Sequence, residues 1–422
     1  MRILWVKAGG LLPLDSGGRI RSYNLVRELA KRHQVTFFGF HSAEDNAAHL
    51  ELEGICERVI CVPLRLPKAR SFAEFQQYAV GLLSSDPYNI RKYCEGHVAK
   101  ELRALLKTES YDVIVCDFLI AAGVIPWDIS IPKLLFTHNV EATIWKGHYE
   151  VAKNPLWKLL SWREWRAMES AETHYLQLAD FVIAVSKADR DIFARIVTPE
   201  KLGTIPTGVD IDYFQPSSEV EQEKVEQENT IVFTGSMDWL PNEDGILNFI
   251  EEILPRISKV ISGVKLMVVG RKPSRRLQAL ATENAQVQLT GWVDDVRPYL
   301  ARGSVCIVPL RVGSGTRLKI FEAMSTGKAV VSTTIGAEGL PVTSGKDVLL
   351  ADSPEEFAKS VVMILQDKSL RRSLGLAARR LVESRFGWST VAAEFEAALQ
   401  RTIDLRHGVT EPVTPNARTV LR

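Results

Sequence analysis

Two doubly wound α/β domains are the fold class this sequence predicts. Short β-branched runs alternate with helical patterns along the whole chain, and several of those runs end on glycine. An acidic stretch with little apolar content, residues 216–229, separates two halves of similar pattern. Alternation of this kind implies right-handed crossovers and mostly parallel sheets. A length of 422 residues suits two such domains.

In the first half, strands are expected at residues 3–6, 35–40, 59–62, 111–116, 133–137, 181–185 and, briefly, 203–206. A helix of about 20–31 follows the pair Gly17-Gly18. The opening MRILWVKAGG is read as a strand entering a glycine loop. Lys7 and Gly9-Gly10 break the apolar run that a signal peptide would need. In the second half, strands are expected at 230–235, 264–270, 287–291, 304–309, 329–332 and 348–350. Helices are expected around 321–324 and at 354–366, 368–384 and 388–404. The expected division is 1–210, a linker at 211–229, a second domain at 230–386, a helix at 387–404 and a disordered tail at 405–422.

Composition narrows the function. Hydrophobic residues make up 46% and charged residues 24%, which excludes a disordered or fibrous chain. Lys and Arg number 52 against 51 Asp and Glu, so a global nucleic-acid footprint is absent. Five cysteines without C-x-x-C spacing read as reduced thiols. No apolar run reaches the roughly 18–20 residues that span a bilayer. A cytoplasmic protein is expected.

Open α/β sheets bind ligands beyond the carboxyl ends of their strands, and three segments there carry chemistry. The loop Asp15-Ser16-Gly17-Gly18-Arg19 precedes a helix, whose free N–H groups suit an anion, and Arg19 adds a charged fork. The alternative is an ordinary turn. His138 follows the fifth strand and suits a sugar hydroxyl or an oxyanion. Alternatively, Thr137 or Asn139 merely caps a helix there. The densest segment is 308–331. Gly313-Ser314-Gly315-Thr316 precedes a helix bearing Arg317 and Lys319, a second anion cradle. Glu322 suits two ribose hydroxyls, and Gly327 closes the helix.

The 308–331 stretch resembles the signature of retaining glycosyltransferases of family 4, the group 1 family. The segments Val185-Ser186-Lys187, Ile205-Pro206-Thr207-Gly208, Phe233-Thr234-Gly235, Val268-Val269-Gly270 and Gly291-Trp292-Val293 occur in that family's order. The Gly235–Gly245 segment and Gly315-Thr316-Arg317-Leu318-Lys319 are similar to bacterial exopolysaccharide sugar transferases, within them to those of exosortase systems. The resemblance implies the GT-B fold, two Rossmann-like domains facing across a cleft, with the last helix crossing back to the first.

It also implies roles. Gly17 and Gly18 match the loop that approaches the donor pyrophosphate and the reacting carbon. His138 matches the active-site histidine that contacts the donor sugar, so His138 and Gly18 are the catalytic candidates. Glu322 matches the ribose contact, and Trp292-Val293 the loop beside the base. Two departures stand out. Ser314 replaces a family glutamate, and Ser236 and Pro241-Asn242 replace the usual Arg and Lys after the first strand of the second domain. Diphosphate binding then rests on Arg317, Lys319 and Arg271.

The implied reaction moves a sugar from a nucleoside-diphosphate donor to a glycan or polyprenyl-linked acceptor with retention. No cofactor and no metal are expected. Helix ends and cations can stabilise the departing phosphate, and Asp210-Ile211-Asp212 lies in the interdomain segment, where it is read as structural. Four Trp at 145, 157, 162 and 165, among Lys and Arg, form either an acceptor or inner-membrane contact, or a helix packed into the core. The core reading is slightly favoured. Three rivals stay open. A GT-B sugar-nucleotide epimerase lacks visible cleft carboxylates. A dehydrogenase lacks G-x-G-x-x-G after the first strand. A non-catalytic sugar- or nucleotide-binding protein is left open by Ser314.

Overall fold

The computed structural model describes residues 1–14, 16–42, 49–67, 71–217, 229–312 and 318–409. The chain divides into two compact units. One is Met1–Ile205 together with the chain from Ala392 onward, and the other is Pro206–Val391. Most of the expected linker, 218–228, lies outside the described residues, as does the tail from 410 on.

The first unit is built on a parallel sheet of seven strands: β1 (Arg2–Ala8), β2 (Gln34–His41), β3 (Arg58–Pro63), β4 (Val113–Asp117), β5 (Lys133–Phe136), β6 (Phe181–Ala184) and β7 (Leu202–Thr204). Their order is β3-β2-β1-β4-β5-β6-β7. The reversal of order falls between β1 and β4, which marks the carboxyl ends of those strands as the place for chemistry. Strands covered on both faces read as unbroken apolar runs. Ile3, Leu4, Trp5 and Val6 are accordingly all buried.

The helices of this unit that bear on the site are α1 (Gly17–Ala30), α2 (Phe72–Val80), α3 (Glu141–Val151) and α4 (Pro155–Leu178). In α1, which starts three residues earlier than its periodicity suggests, Leu25, Val26 and Leu29 are buried. Pro at the first position and the Asn154 side chain start α4; Asn154 Oδ1 accepts from Leu156 N (2.9 Å) and Trp157 N (3.2 Å). The four Trp split. Trp145 and Trp165 pack on the core, whereas Trp157 and Trp162 are exposed.

The second unit holds six parallel strands: β8 (Thr230–Thr234), β9 (Lys265–Val269), β10 (Val287–Gly291), β11 (Val305–Val308), β12 (Val330–Ser332) and β13 (Leu349–Leu350). Their order is β10-β9-β8-β11-β12-β13, so the reversal lies between β8 and β11. Apolar clusters cover the sheet, one around Ile231, Phe233 and Val268, another around Val232, Val269 and Phe321. The helices next to this switch point are α5 (Leu240–Asn248) and α6 (Leu318–Ser325). Asp210 does structural work as expected: its Oδ1 accepts from Tyr213 N (2.9 Å) in a turn.

The last helix, α7 (Trp388–Arg406), begins in the second unit and continues in the first. Phe395 is fully buried there, with its ring 5.4 Å from Trp5 and 5.1 Å from Phe136. The helix runs two residues past its expected end, and Arg406 Nη1 lies 3.3 Å from Asp180. Phe395 is thus the pin that closes the first unit under β1 and β5. Replacing Phe395 with Ala should lower the stability of that unit by about 3–5 kcal/mol, read from urea unfolding followed by circular dichroism.

Candidate functional site

Parallel register sets up the candidate site of the first unit. Lys7 on β1 pairs with Asp117 on β4, and Asp117 pairs with Phe136 on β5. A cation and a carboxylate are therefore side by side at the carboxyl end of the sheet, level with Phe136, two residues before His138. Asp117 is fully buried and Lys7 nearly so. The Lys7 Nζ lies 3.0 Å from Asp117 Oδ2, and Trp5 Nε1 donates to the same oxygen at 2.8 Å. His138 Nε2 is 2.7 Å from the other oxygen. Burial opposes ionisation of Asp117, but the charge of Lys7 and the hydrogen bonds from His138 and Ser22 outweigh it. The carboxyl is held well below its usual range.

That carboxylate decides the state of His138. A carboxylate only accepts, so the His138 Nε2 carries a proton. Burial pushes the imidazole pKa down to about 4 against the pull of Asp117, so the ring is neutral near pH 7. Its Nδ1 is then an acceptor. It faces Gly18, where a Cβ would stand 3.6 Å away. The ring is further held edge-on to Phe118 at 5.4 Å and tilted on Phe136 at 4.6 Å. Phe118 adopts a left-handed backbone, φ 79°, a strained conformation of the kind that clusters at active sites.

The glycine loop meets the same point. Ser16 caps α1 without a side-chain hydrogen bond, and no acidic residue sits in the first turn. The positive end of a 14-residue helix is thus left to an outside anion. Arg19 donates from Nη2 to Gly9 O (2.9 Å), which ties the helix to the loop. Gly10 has φ 73°, and a Cβ there would fall 2.5 Å from His49 Nε2, the atom that accepts from Leu11 N (2.9 Å). Neither Thr137 nor Asn139 caps α3. Thr137 Oγ1 donates to Ile183 O (2.8 Å), and the Glu172 carboxylate receives Glu141 N–H (2.9 Å). Burial raises both Glu141 and Glu172 to about 7.

Arg21 holds the loop from below. It is buried, stacks at 4.4 Å over Phe136, and donates to the carbonyls of Thr137 and Ile205. Burial lowers its pKa to about 9. Asp117, Lys7, Trp5, Ser22 and Arg21 escaped the sequence reading. The available signal was a charge near the carboxyl end of each of two apolar strands, Lys7 in RILWVKA and Asp117 in VIVCD.

The second unit carries a separate group of candidate residues. Strands β8 and β9 end so close together that a Cβ on Gly270 would lie 1.8 Å from Gly235 O, so only glycine fits. Into the space beside Gly235 reaches Lys319 from α6. Its Nζ donates to Asn242 Oδ1 (2.6 Å) and sits 4.2 Å over the Phe233 ring, and Asn242 Nδ2 donates to Ser236 O (2.8 Å). Ser236 and Asn242 stand where the family usually has cations, and Lys319 brings a charge to that place from another helix. Arg271 donates to Ser236 Oγ (3.0 Å) and is half exposed. Glu322 follows Lys319 by one turn. Burial raises its carboxyl to about 7, against the pull of Lys319. Trp292 is exposed, with Nε1 donating to Asp294 Oδ1 (3.3 Å), while Val293 packs on the core. Gly313, Ser314, Gly315, Thr316 and Arg317 lie outside the described residues. Among the described residues no cluster of metal-ligating side chains occurs.

Two such parallel sheets have the architecture of the GT-B fold, with a neutral, oriented histidine after β5 in one unit and a helix bearing a cation and a carboxylate beside the switch point of the other. Residues 16–213 match the family described as Glycosyltransferase Family 4, and residues 228–367 match Glycosyl transferases group 1. The chain belongs to the group 1 glycosyltransferases. It is 25% identical to an uncharacterized glycosyltransferase of Methanocaldococcus jannaschii, over 54% of this chain and 59% of that protein's length. It is 20% identical to a 44.6 kDa protein of the cps region of Klebsiella pneumoniae, over 91% and 96%. It is 27% identical to the GDP-mannose-dependent α-(1-6)-phosphatidylinositol monomannoside mannosyltransferase of Mycobacterium tuberculosis, over 63% and 77%. Among solved structures, sucrose-phosphate synthase of Thermosynechococcus elongatus matches at a TM-score of 0.70, 19% identity, 95% of this chain and 98% of that one. HepE of Anabaena, solved with UDP and glucose, matches at 0.63, 15% identity, 94% and 99%.

His138 should stay neutral down to about pH 4, seen as a late shift of its imidazole C–H resonances in an NMR titration. A base whose pKa falls on folding is protonated first in the unfolded chain. Its contribution is therefore complete above about pH 6.5 and is lost as pH falls toward 4. Glu141 and Glu172 act oppositely, losing theirs as pH rises from about 4.5 to 7.

Proposed function

We propose that this glycosyltransferase moves a sugar from a nucleoside diphosphate to a glycan or polyprenyl-linked acceptor, with retention, in exopolysaccharide assembly. The observation that carries this is the locked tautomer of His138. Its Nε2–H is committed to Asp117, so Nδ1 presents a fixed acceptor beside the α1 N-terminus, suited to a sugar hydroxyl. In the step itself the bond from the anomeric carbon to the phosphate oxygen breaks. The acceptor oxygen bonds to that carbon from the same face, and its proton passes to the departing phosphate. Positive charge grows on the sugar and negative charge on the diphosphate. Helix ends and Lys319 meet the second, and Glu322 receives ribose hydroxyls. By the family resemblance Gly17, Gly18 and Arg19, and in the second unit Arg271, Trp292 and Val293, are donor-binding candidates; Gly313, Ser314, Gly315, Thr316 and Arg317 are candidates from the sequence alone.

Cations and helix dipoles supply the role a metal would play, so we propose catalysis without one. The cps-region relative supports an exopolysaccharide role. The mycobacterial relative supports a nucleotide-sugar donor and a lipid-borne acceptor.

A thermal-shift panel of UDP, GDP and ADP, their sugars and NAD tests the donor site. One nucleoside diphosphate should add about 2.7 kcal/mol of stability at 100 times Kd. Lys319→Ala should weaken that ligand about 10- to 100-fold, the value of a hydrogen bond to a charged group. A response to NAD alone would overturn the assignment.

Turnover with the donor so found should survive EDTA, and product NMR should show the donor's anomeric configuration. Loss of activity on chelation, restored by a divalent cation, would overturn the metal-free reading.

A further inference from the structure

A helix of nine residues is not stable in water by itself and normally buries one face. Helix α2, FAEFQQYAV, buries no residue. Phe72, Phe75 and Val80 are 72%, 66% and 81% exposed. Polar tethers hold the helix. Ser71 Oγ accepts from Glu74 N (3.2 Å), and Tyr78 donates to Glu164 Oε1 (3.0 Å) on α4. Arg163 donates to Gly81 O (3.1 Å), and Tyr88 N to Glu164 Oε2 (2.9 Å). The end of α2 is therefore fixed against α4.

The start of α4 continues the apolar surface. Leu156, Trp157, Leu159 and Trp162 are exposed, as is Val151 at the end of α3. Trp157 is held through His148, whose ring is 6.3 Å away and itself 5.6 Å from Trp145. Between these helices Val151, Lys153, Asn154, Leu156, Trp157 and Leu160 line an open hollow of about 500 Å³.

Charge identifies the occupant. The whole chain carries only +1, yet residues 144–169 hold five cations against three carboxylates, Glu150, Glu164 and Glu169. Glu164 is buried and paired with Arg163. Lys146, Lys153, Lys158 and Arg166 are exposed; Lys146 reaches Glu150 (3.8 Å) and Arg166 pairs with Glu169, so Lys153 and Lys158 carry the surplus charge. Lys158 Nζ lies 5.2 Å over Tyr149 and Lys146 Nζ 5.7 Å over Trp165, a basic rim on an aromatic base. A second copy docked by a two-fold axis would set like charges on like. Trp with Lys and Arg around exposed aliphatics instead suits the headgroup layer of an anionic bilayer.

We infer that α2 and the α3–α4 corner form a docking surface for anionic phospholipid. Helix α3 connects it to the site. It begins three residues after His138 and ends at Val151, about 16 Å away at 1.5 Å per residue. A lipid-borne acceptor held at the surface would thus present its headgroup near the His138 loop. That last point rests on the transferase reading, whereas the surface itself does not.

The test is co-sedimentation of the full chain with vesicles of phosphatidylcholine, with and without phosphatidylglycerol. Binding should require phosphatidylglycerol, weaken with salt and shift Trp emission to the blue. Lys153→Ala and Lys158→Ala should each weaken it about fivefold, as expected for one lysine near such a surface. Trp157→Ser with Trp162→Ser should abolish it. All variants should keep the nucleotide stabilisation of the wild type, which separates this inference from the donor site. No binding to either vesicle, equal binding to both, or binding unchanged in the variants would overturn it. So would a dimer that the Trp variants dissociate in the absence of lipid binding.

Discussion

The buried charge of Asp117 is the constraint around which the first unit is arranged. A carboxylate in a dry interior must be paired and hydrogen-bonded on both oxygens. Lys7 and Trp5 satisfy one and His138 the other. The same contacts set the His138 tautomer, seat Trp5 against Phe136 and Phe395, and draw Lys7 onto Ser22 of α1. Stability and chemistry share one group here. Removing the carboxylate would leave a buried lysine unpaired as well as a histidine without orientation.

The second unit solves a different problem. Its neighbouring strands end on glycines that approach to within contact, leaving room for a long side chain from elsewhere. Lys319 takes that room and is fixed by Asn242 and the Phe233 ring. A cation supplied by a helix can replace cations supplied by a loop, because an anion reads charge and distance rather than chain order. Glu322 lies one turn further on with its carboxyl raised to about 7, so its charge is tuned by burial at the pH where it would meet a ligand.

The tryptophan-rich corner shows how one segment serves two ends. Trp145 and Trp165 pack inward and stiffen the α3–α4 pair, while Trp157 and Trp162 project from it. Among the described residues no helix is long and apolar enough to cross a membrane.

Period and punctuation determined much of the architecture by themselves. Apolar runs of four to seven residues between helical patterns located the strands, and glycine marked their ends, because both signals are local properties of the backbone. His138, Lys319 and Glu322 were visible since they follow strands or open a helix in a recognisable pattern. The pairing of Lys7 with Asp117 was not, because it joins residues 110 positions apart through parallel register. Nor was the burial that neutralises His138, the reach of Lys319 into the space beside Gly235, or the outward face of α2. Each of these depends on which chain segments become neighbours, and neighbours that are distant in sequence are decided only when the sheet closes and its helices pack.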